Sequence, residues 1–121
     1  MKRRSSKTKE LADKFRYRRR EFVLGGTCAG CGGRPVDCHE ILAGSHRHNA
    51  YGERACWLRL CRPCHESLQG TSYVSQLALK LLNDPSGFDL LKFHEAWGRP
   101  ETAITPAEVL EAVRDELMEM G

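Results

Sequence analysis

Apolar residues Leu11, Phe15, Phe22 and Val23 stand among charged ones near the start of the chain and predict a helix from about residue 7 to 23. Leu11 and Phe15 share one face, with Lys7, Lys14 and Arg18 elsewhere on the cylinder, so the helix can pack inward and show cations outward. Gly25-Gly26 ends it. The pattern then changes period. Val36 to Leu42 and Ala55 to Leu60 are short apolar-leaning runs separated by a loop rich in Gly, Ser, His, Arg and Asn, which predicts two antiparallel strands. Glu66 to Gln69 reads as a helical turn or short helix that Gly70 stops.

Downstream, Val74, Leu77, Ala78, Leu81 and Leu82 follow one helical face, and Asn83-Asp84-Pro85 ends that helix. Asp89 caps a second, containing Leu90, Leu91, Phe93 and Trp97 and closed by Gly98. A third opens at Thr105-Pro106-Ala107-Glu108, a capping box with proline at the first helical position, and carries Val109, Leu110, Val113, Leu117 and Met120. These stripes read as core packing. No internal repeat interrupts this order.

Two cysteine pairs, Cys28-Ala-Gly-Cys31 and Cys61-Arg-Pro-Cys64, bracket the predicted strands. Each two-residue spacer makes a tight knuckle, and four thiolates in two knuckles predict a closed tetrahedral zinc site. The core between them is short enough that hydrophobic burial alone is marginal, so a structural metal is needed physically. Cys38 and Cys56 are left over and read as buried thiols. With no apolar run near the length of a membrane helix and no secretory signal pattern, the expectation is a cytoplasmic protein whose cysteines bind metal rather than form disulfides.

The formal net charge of +3 conceals an asymmetry. Residues 1–20 hold ten Lys or Arg against Glu10 and Asp13, residues 21–70 balance at five against five, and residues 71–121 hold four basic and nine acidic side chains. A basic arm ahead of a metal-built core points to a polyanion partner, because cations that neutralise phosphates release condensed counterions. Arg16, Arg18, Arg19 and Arg20 are the candidate contacts. Three segments result: 1–24 as basic arm or helix, 25–70 as zinc-stapled core, and 71–121 as a helical extension packed on it.

The stretch Cys28-x-x-Cys31, Val36-Asp37-Cys38-His39-Glu40-Ile41 and Leu60-Cys61-Arg62-Pro63-Cys64-His65 resembles the HNH endonucleases, nucleases with a β-β-α-metal active site. The resemblance covers about a third of the chain. It implies an α+β fold with a small ββα-metal core, Cys28, Cys31, Cys61 and Cys64 on structural Zn²⁺, and His65 on a catalytic divalent metal, Mg²⁺ or another. With Ile41 at the aliphatic position of the strand motif, His39 becomes a metal ligand and Glu40 takes the base position, where the family usually has histidine. Sliding the register by one makes His39 the base and Cys38 a ligand, at the expense of placing Glu40 where an aliphatic residue belongs. The place of the family's asparagine is held by Cys56, and Asn49 is the nearby alternative.

The activity implied is hydrolysis of phosphodiester bonds in nucleic acid, DNA first, with no organic cofactor and no membrane partner. Glu40, His39, His46 and His48 are candidates for the base that activates water, and histidine, with its ordinary pKa near 6.5, suits that role better than a carboxylate. Arg47 and Arg54 suit bidentate phosphate contacts. A zinc module that binds nucleic acid or protein without cleaving it would keep the same cysteines and arm. Cys61-Arg-Pro-Cys64-His65 also matches a c-type haem attachment signature, which leaves the first cysteine pair unexplained, and a Cys-His nucleophile at Cys38 or Cys56 has no supporting signature.

Overall fold

The computed structural model describes residues 6–120, with side chains described for residues 9–119. Lys2, Arg3 and Arg4 of the basic arm, the side chain of Lys7 and that of Met120 lie outside the described residues. Helix α1 runs Ser6–Leu24 and ends at the predicted glycine pair. Strands β1, Asp37–Glu40, and β2, Trp57–Leu60, form one antiparallel hairpin with His39 opposite Leu58 and Cys38 opposite Arg59.

Both strands are shorter than the apolar runs that predict them. A 3-10 turn over Arg54–Cys56, started by the Glu53 carboxylate accepting from the Ala55 amide, takes the front of the second run. Backbone pairing still extends past the strands, from Val36 N–H to the Leu60 carbonyl at 3.0 Å and from Ile41 N–H to that of Cys56 at 2.8 Å. The expected loop between them holds a 3-10 turn, Gly44–His46, and the short helix α2, Arg47–Ala50.

Helix α3, Arg62–Leu68, starts four residues before the predicted turn, because Cys61 is its extended N-cap and Pro63 fits the first turn, where no N–H is required. The second knuckle is therefore a helix start, and it places Cys64 and His65 on α3. Helices α4, Tyr73–Asn83, α5, Leu90–Trp97, and α6, Pro106–Met120, stand where the stripes predict them, with Leu77, Ala78, Phe93 and Val109 buried but Leu82, Leu91, Leu110 and Leu117 exposed rather than in the core. Their caps are those the sequence announces: Asp89 accepts from the Lys92 amide at 3.0 Å, Gly98 closes α5 at a φ of 76°, and Thr105 accepts from the Glu108 amide at 3.3 Å. One hydrophobic cluster joins Phe22 and Val23 of α1 to Leu58 and Leu60 of the hairpin and to Leu77, Phe93, Ile104 and Val109 of the C-terminal segment. No helix among the described residues is long and apolar enough to cross a membrane.

Beside this cluster lies a buried ionic group. Lys80, fully buried on α4, donates to Asp84 at 2.6 Å, and Arg54 reaches the same carboxylate through two bonds of 3.0 and 2.6 Å. Burial works to raise the Asp84 carboxyl, but the hydrogen bonds from Arg54 and Lys80 overcome it and hold the pKa at about 2, against 3.8 ordinarily. A depressed carboxyl contributes stability that is complete above its unfolded pKa and lost as pH falls through the folded one. Acid unfolding should therefore draw on this group between about pH 4 and pH 2. Asp84→Asn should cost on the order of 3 kcal/mol in urea unfolding at neutral pH, since it leaves a buried ammonium unpaired.

Candidate functional site

The four knuckle sulfurs, of Cys28, Cys31, Cys61 and Cys64, lie within 4.8 Å of one another, and those of Cys31 and Cys61 are 3.8 Å apart. A disulfide needs about 2 Å. A tetrahedron with zinc–sulfur arms of about 2.3 Å has edges of about 3.8 Å, so the spacing suits a tetrathiolate metal centre. The surroundings favour anionic sulfur at one corner and resist it at another. Burial works to raise the Cys28 thiol, yet the Cys61, Cys31 and Gly30 amides pull it down to about 6, while hydrogen bonding to Cys61 and the other sulfurs pushes Cys64 up to about 12. Four thiolates this close require a cation among them. Gly30 lets the knuckle close, because a Cβ there would stand 2.8 Å from the Cys64 sulfur.

At the other end of α3's first turn a cleft of about 470 Å³ opens, lined by His39, Glu40, Arg47, His65 and Gln76 among others. His39 and His65 meet edge to face with ring centroids 4.9 Å apart. Each imidazole is oriented from behind. The Gln76 amide nitrogen donates to the Thr71 carbonyl at 3.1 Å, which turns its oxygen to accept from His39 Nε2 at 2.7 Å. That assigns the His39 proton to Nε2 and the lone pair to Nδ1. Asp37 Oδ2 lies 3.0 Å from His65 Nδ1, so His65 donates there and Nε2 is the ring nitrogen left over. Burial, opposed by the Gln76 hydrogen bond, lowers the His39 pKa below 6.5 and keeps its imidazole neutral.

Alternation along β1 sends Asp37 and His39 to one face and Cys38 and Glu40 to the other. The slid register fails on this point. Cys38 lies across the strand from the histidine pair, burial pushes its thiol up to about 12, and its carbonyl accepts from Arg19 at 2.9 Å. Glu40 is held by two cations. It is 8 % exposed and paired with both Arg19 and Arg47 at 3.0 Å, and although burial works to raise its carboxyl these cations hold it below its ordinary value. A carboxylate that resists protonation is a poor base near neutrality.

His46, another candidate base, sits on the 3-10 turn and is not among the residues lining the cleft. His48 stacks on Tyr51 at 6.2 Å. Asn49 is turned away, donating to the Ala96 carbonyl at 2.9 Å, and Cys56 at the asparagine's place is fully buried. Of the predicted phosphate contacts, Arg47 lines the cleft while holding Glu40, and Arg54 does not line it and meets Asp84. Arg19 faces inward onto Glu40 and two backbone carbonyls, so it is an anchor of α1. Arg16 lines a groove that also holds His65 and shares another with Arg20, and Arg18 faces a different cavity.

Sequence reasoning missed Asp37, Arg62 and Gln76. Asp37 had a signal, since it stands two residues before His39 and so shares its face on a strand. Arg62 forks onto Asp37 with bonds of 2.9 and 3.1 Å and steadies it. Gln76 had none, because its role depends on where α4 docks. Compared with protein-family models, curated proteins and solved structures, the chain matches none.

Proposed function

We propose that the chain is a metal-dependent endonuclease of HNH type that hydrolyses phosphodiester bonds in DNA, with Cys28, Cys31, Cys61 and Cys64 holding structural zinc. The observation carrying this reading is the pair of imidazoles on one cleft, each with one ring nitrogen committed, His39 to Gln76 and His65 to Asp37. Imidazoles oriented by such partners are characteristic of metal ligands. His39 and His65 would hold the catalytic ion, and a divalent cation bound there would neutralise charge developing on the phosphate. Two imidazoles suit Mn²⁺, Ni²⁺ or Zn²⁺ better than Mg²⁺, which prefers an oxygen shell.

The remaining parts of the cleft serve orientation. Asp37, fixed by Arg62, keeps the His65 ring in one tautomer. Glu40 holds Arg47 beside the cleft, where its exposed guanidinium meets an incoming strand. Arg16 in the neighbouring groove extends the cationic track toward His65.

The test is nicking of supercoiled plasmid and of single-stranded DNA by zinc-loaded protein, with and without added Mn²⁺, Ni²⁺ or Mg²⁺. Cleavage is expected with added metal, Mn²⁺ or Ni²⁺ ahead of Mg²⁺, and none without. DNA binding with no metal-dependent cleavage of either substrate would leave the non-catalytic zinc module as the better account.

A further inference from the structure

The face of the hairpin turned away from His39 carries a second cavity, of about 370 Å³, lined by Arg18, Arg54 and Arg59 with Glu21, Phe22 and Trp57. Arg59 is its unusual member. It is 7 % exposed and forms no ion pair among the described residues. Its Nε donates to the Phe22 carbonyl at 2.6 Å and its Nη1 to Asn83 at 3.1 Å, which leaves Nη2 without a partner among the described residues. Arg54 likewise meets Asp84 and Ser86 through Nε and Nη2 only.

Charge around the cavity is unbalanced. Arg54, Arg59 and Lys80 crowd the Phe22 ring, at 5.6, 4.2 and 4.7 Å from its centroid, and the buried Asp84 carboxylate binds Arg54 and Lys80 but not Arg59. Exposed Arg18 adds a further cation at the mouth, where Glu21 is the single acid. Buried cations are ordinarily paired, and guanidinium forks with unused N–H groups match tetrahedral oxyanions.

We propose that this cavity is a phosphate site, in which Arg18, Arg54 and Arg59 hold a backbone phosphate of a nucleic-acid strand on the side of the hairpin opposite the histidine cleft. Only the owner of the phosphate rests on the function proposed above; the site itself rests on the arginines. Its position lets one protein grip a strand at two points, so that affinity and cleavage are separable by mutation.

Full-length, zinc-loaded, ¹⁵N-labelled protein would be titrated with inorganic phosphate, with chloride at matched ionic strength, with a single-stranded oligonucleotide and with a glutamate-rich peptide. Saturable shifts are expected at the Phe22, Gly25 and Arg59 amides and the Trp57 indole N–H with phosphate and oligonucleotide. Phosphate should compete with oligonucleotide at these resonances, and Arg18→Ala should weaken both by about tenfold while leaving the unfolding midpoint unchanged. Shifts that merely follow ionic strength, that arise only with the acidic peptide or only with free phosphate, or that ignore Arg18→Ala would overturn the proposal. Plasmid nicking without these shifts sinks the phosphate site alone, and these shifts without nicking sink the nuclease reading alone.

Discussion

Stripping the metal from the four-sulfur centre is expected to unfold the hairpin and α3 cooperatively. Strands of four residues cannot stand as an isolated two-stranded hairpin in water. Here the first knuckle is tied to the second strand by the Ala29 amide donating to the Arg59 carbonyl at 2.8 Å, and the Cys61 amide donates to the Cys28 sulfur at 3.3 Å. Those bonds hold the sulfurs in place, and a metal among the sulfurs would hold the bonds. Structural zinc contributes roughly 10 to 16 kcal/mol near neutral pH, as much as the whole stability of an ordinary small domain. Chelation, or Cys61→Ser, should therefore abolish the near-ultraviolet signal of Trp57, which packs against Phe22 with centroids 5.5 Å apart. Helical signal from α4 and α6, which pack on each other, should fall less. Elemental analysis should find one zinc per chain. A chain that keeps its Trp57 signal after exhaustive chelation would remove the metal from this account.

The helices and the four-cysteine cluster were legible in the residues because their signals are local. Four cysteines at two-residue spacing, a capping box at Thr105, a cap at Asp89 and a glycine at position 98 each specify a short piece of backbone without reference to the rest. The cleft was legible only in part. His39 and His65 stand out as chemistry, but whether Glu40 acts as a base depends on Arg19, twenty-one residues earlier on α1, and on Arg47 of α2. The apolar and basic pattern of α1 tells which face turns inward on average, yet Arg19 turns inward as well, because a carboxylate and two carbonyls wait there. Arg54 reads as a phosphate contact from its fork and its place near the loop, and its tie to Asp84, which depends on how α4 docks against the hairpin, has no such signal. Contacts set by docking leave no periodic trace in a single chain.

On the proposed function, His65→Ala and His39→Ala should each reduce metal-dependent cleavage by about a thousandfold or more with the fold intact, since both side chains line an open cleft and neither belongs to the buried cluster. Asp37→Asn is the more informative variant. Its carboxylate meets the His65 ring and the exposed Arg62 guanidinium and does nothing for the core. If Asp37 orients His65 and raises its basicity as a ligand, the amide variant should need ten- to a hundredfold more Mn²⁺ for half-maximal cleavage and should recover most of its rate at saturating metal. Loss that persists at saturating metal would instead make Asp37 a direct participant, and an unchanged requirement would detach it from the site. The pH profile bears on His39. Because burial keeps His39 neutral to below its ordinary pKa of 6.5, its protonation should take nothing from wild-type cleavage as pH falls from 8 to 6.5. Gln76→Leu removes the hydrogen bond that fixes the His39 proton on Nε2. A lower rate for that variant at every pH, with DNA binding unchanged, would trace the defect to the imidazole's tautomer and orientation rather than to its charge.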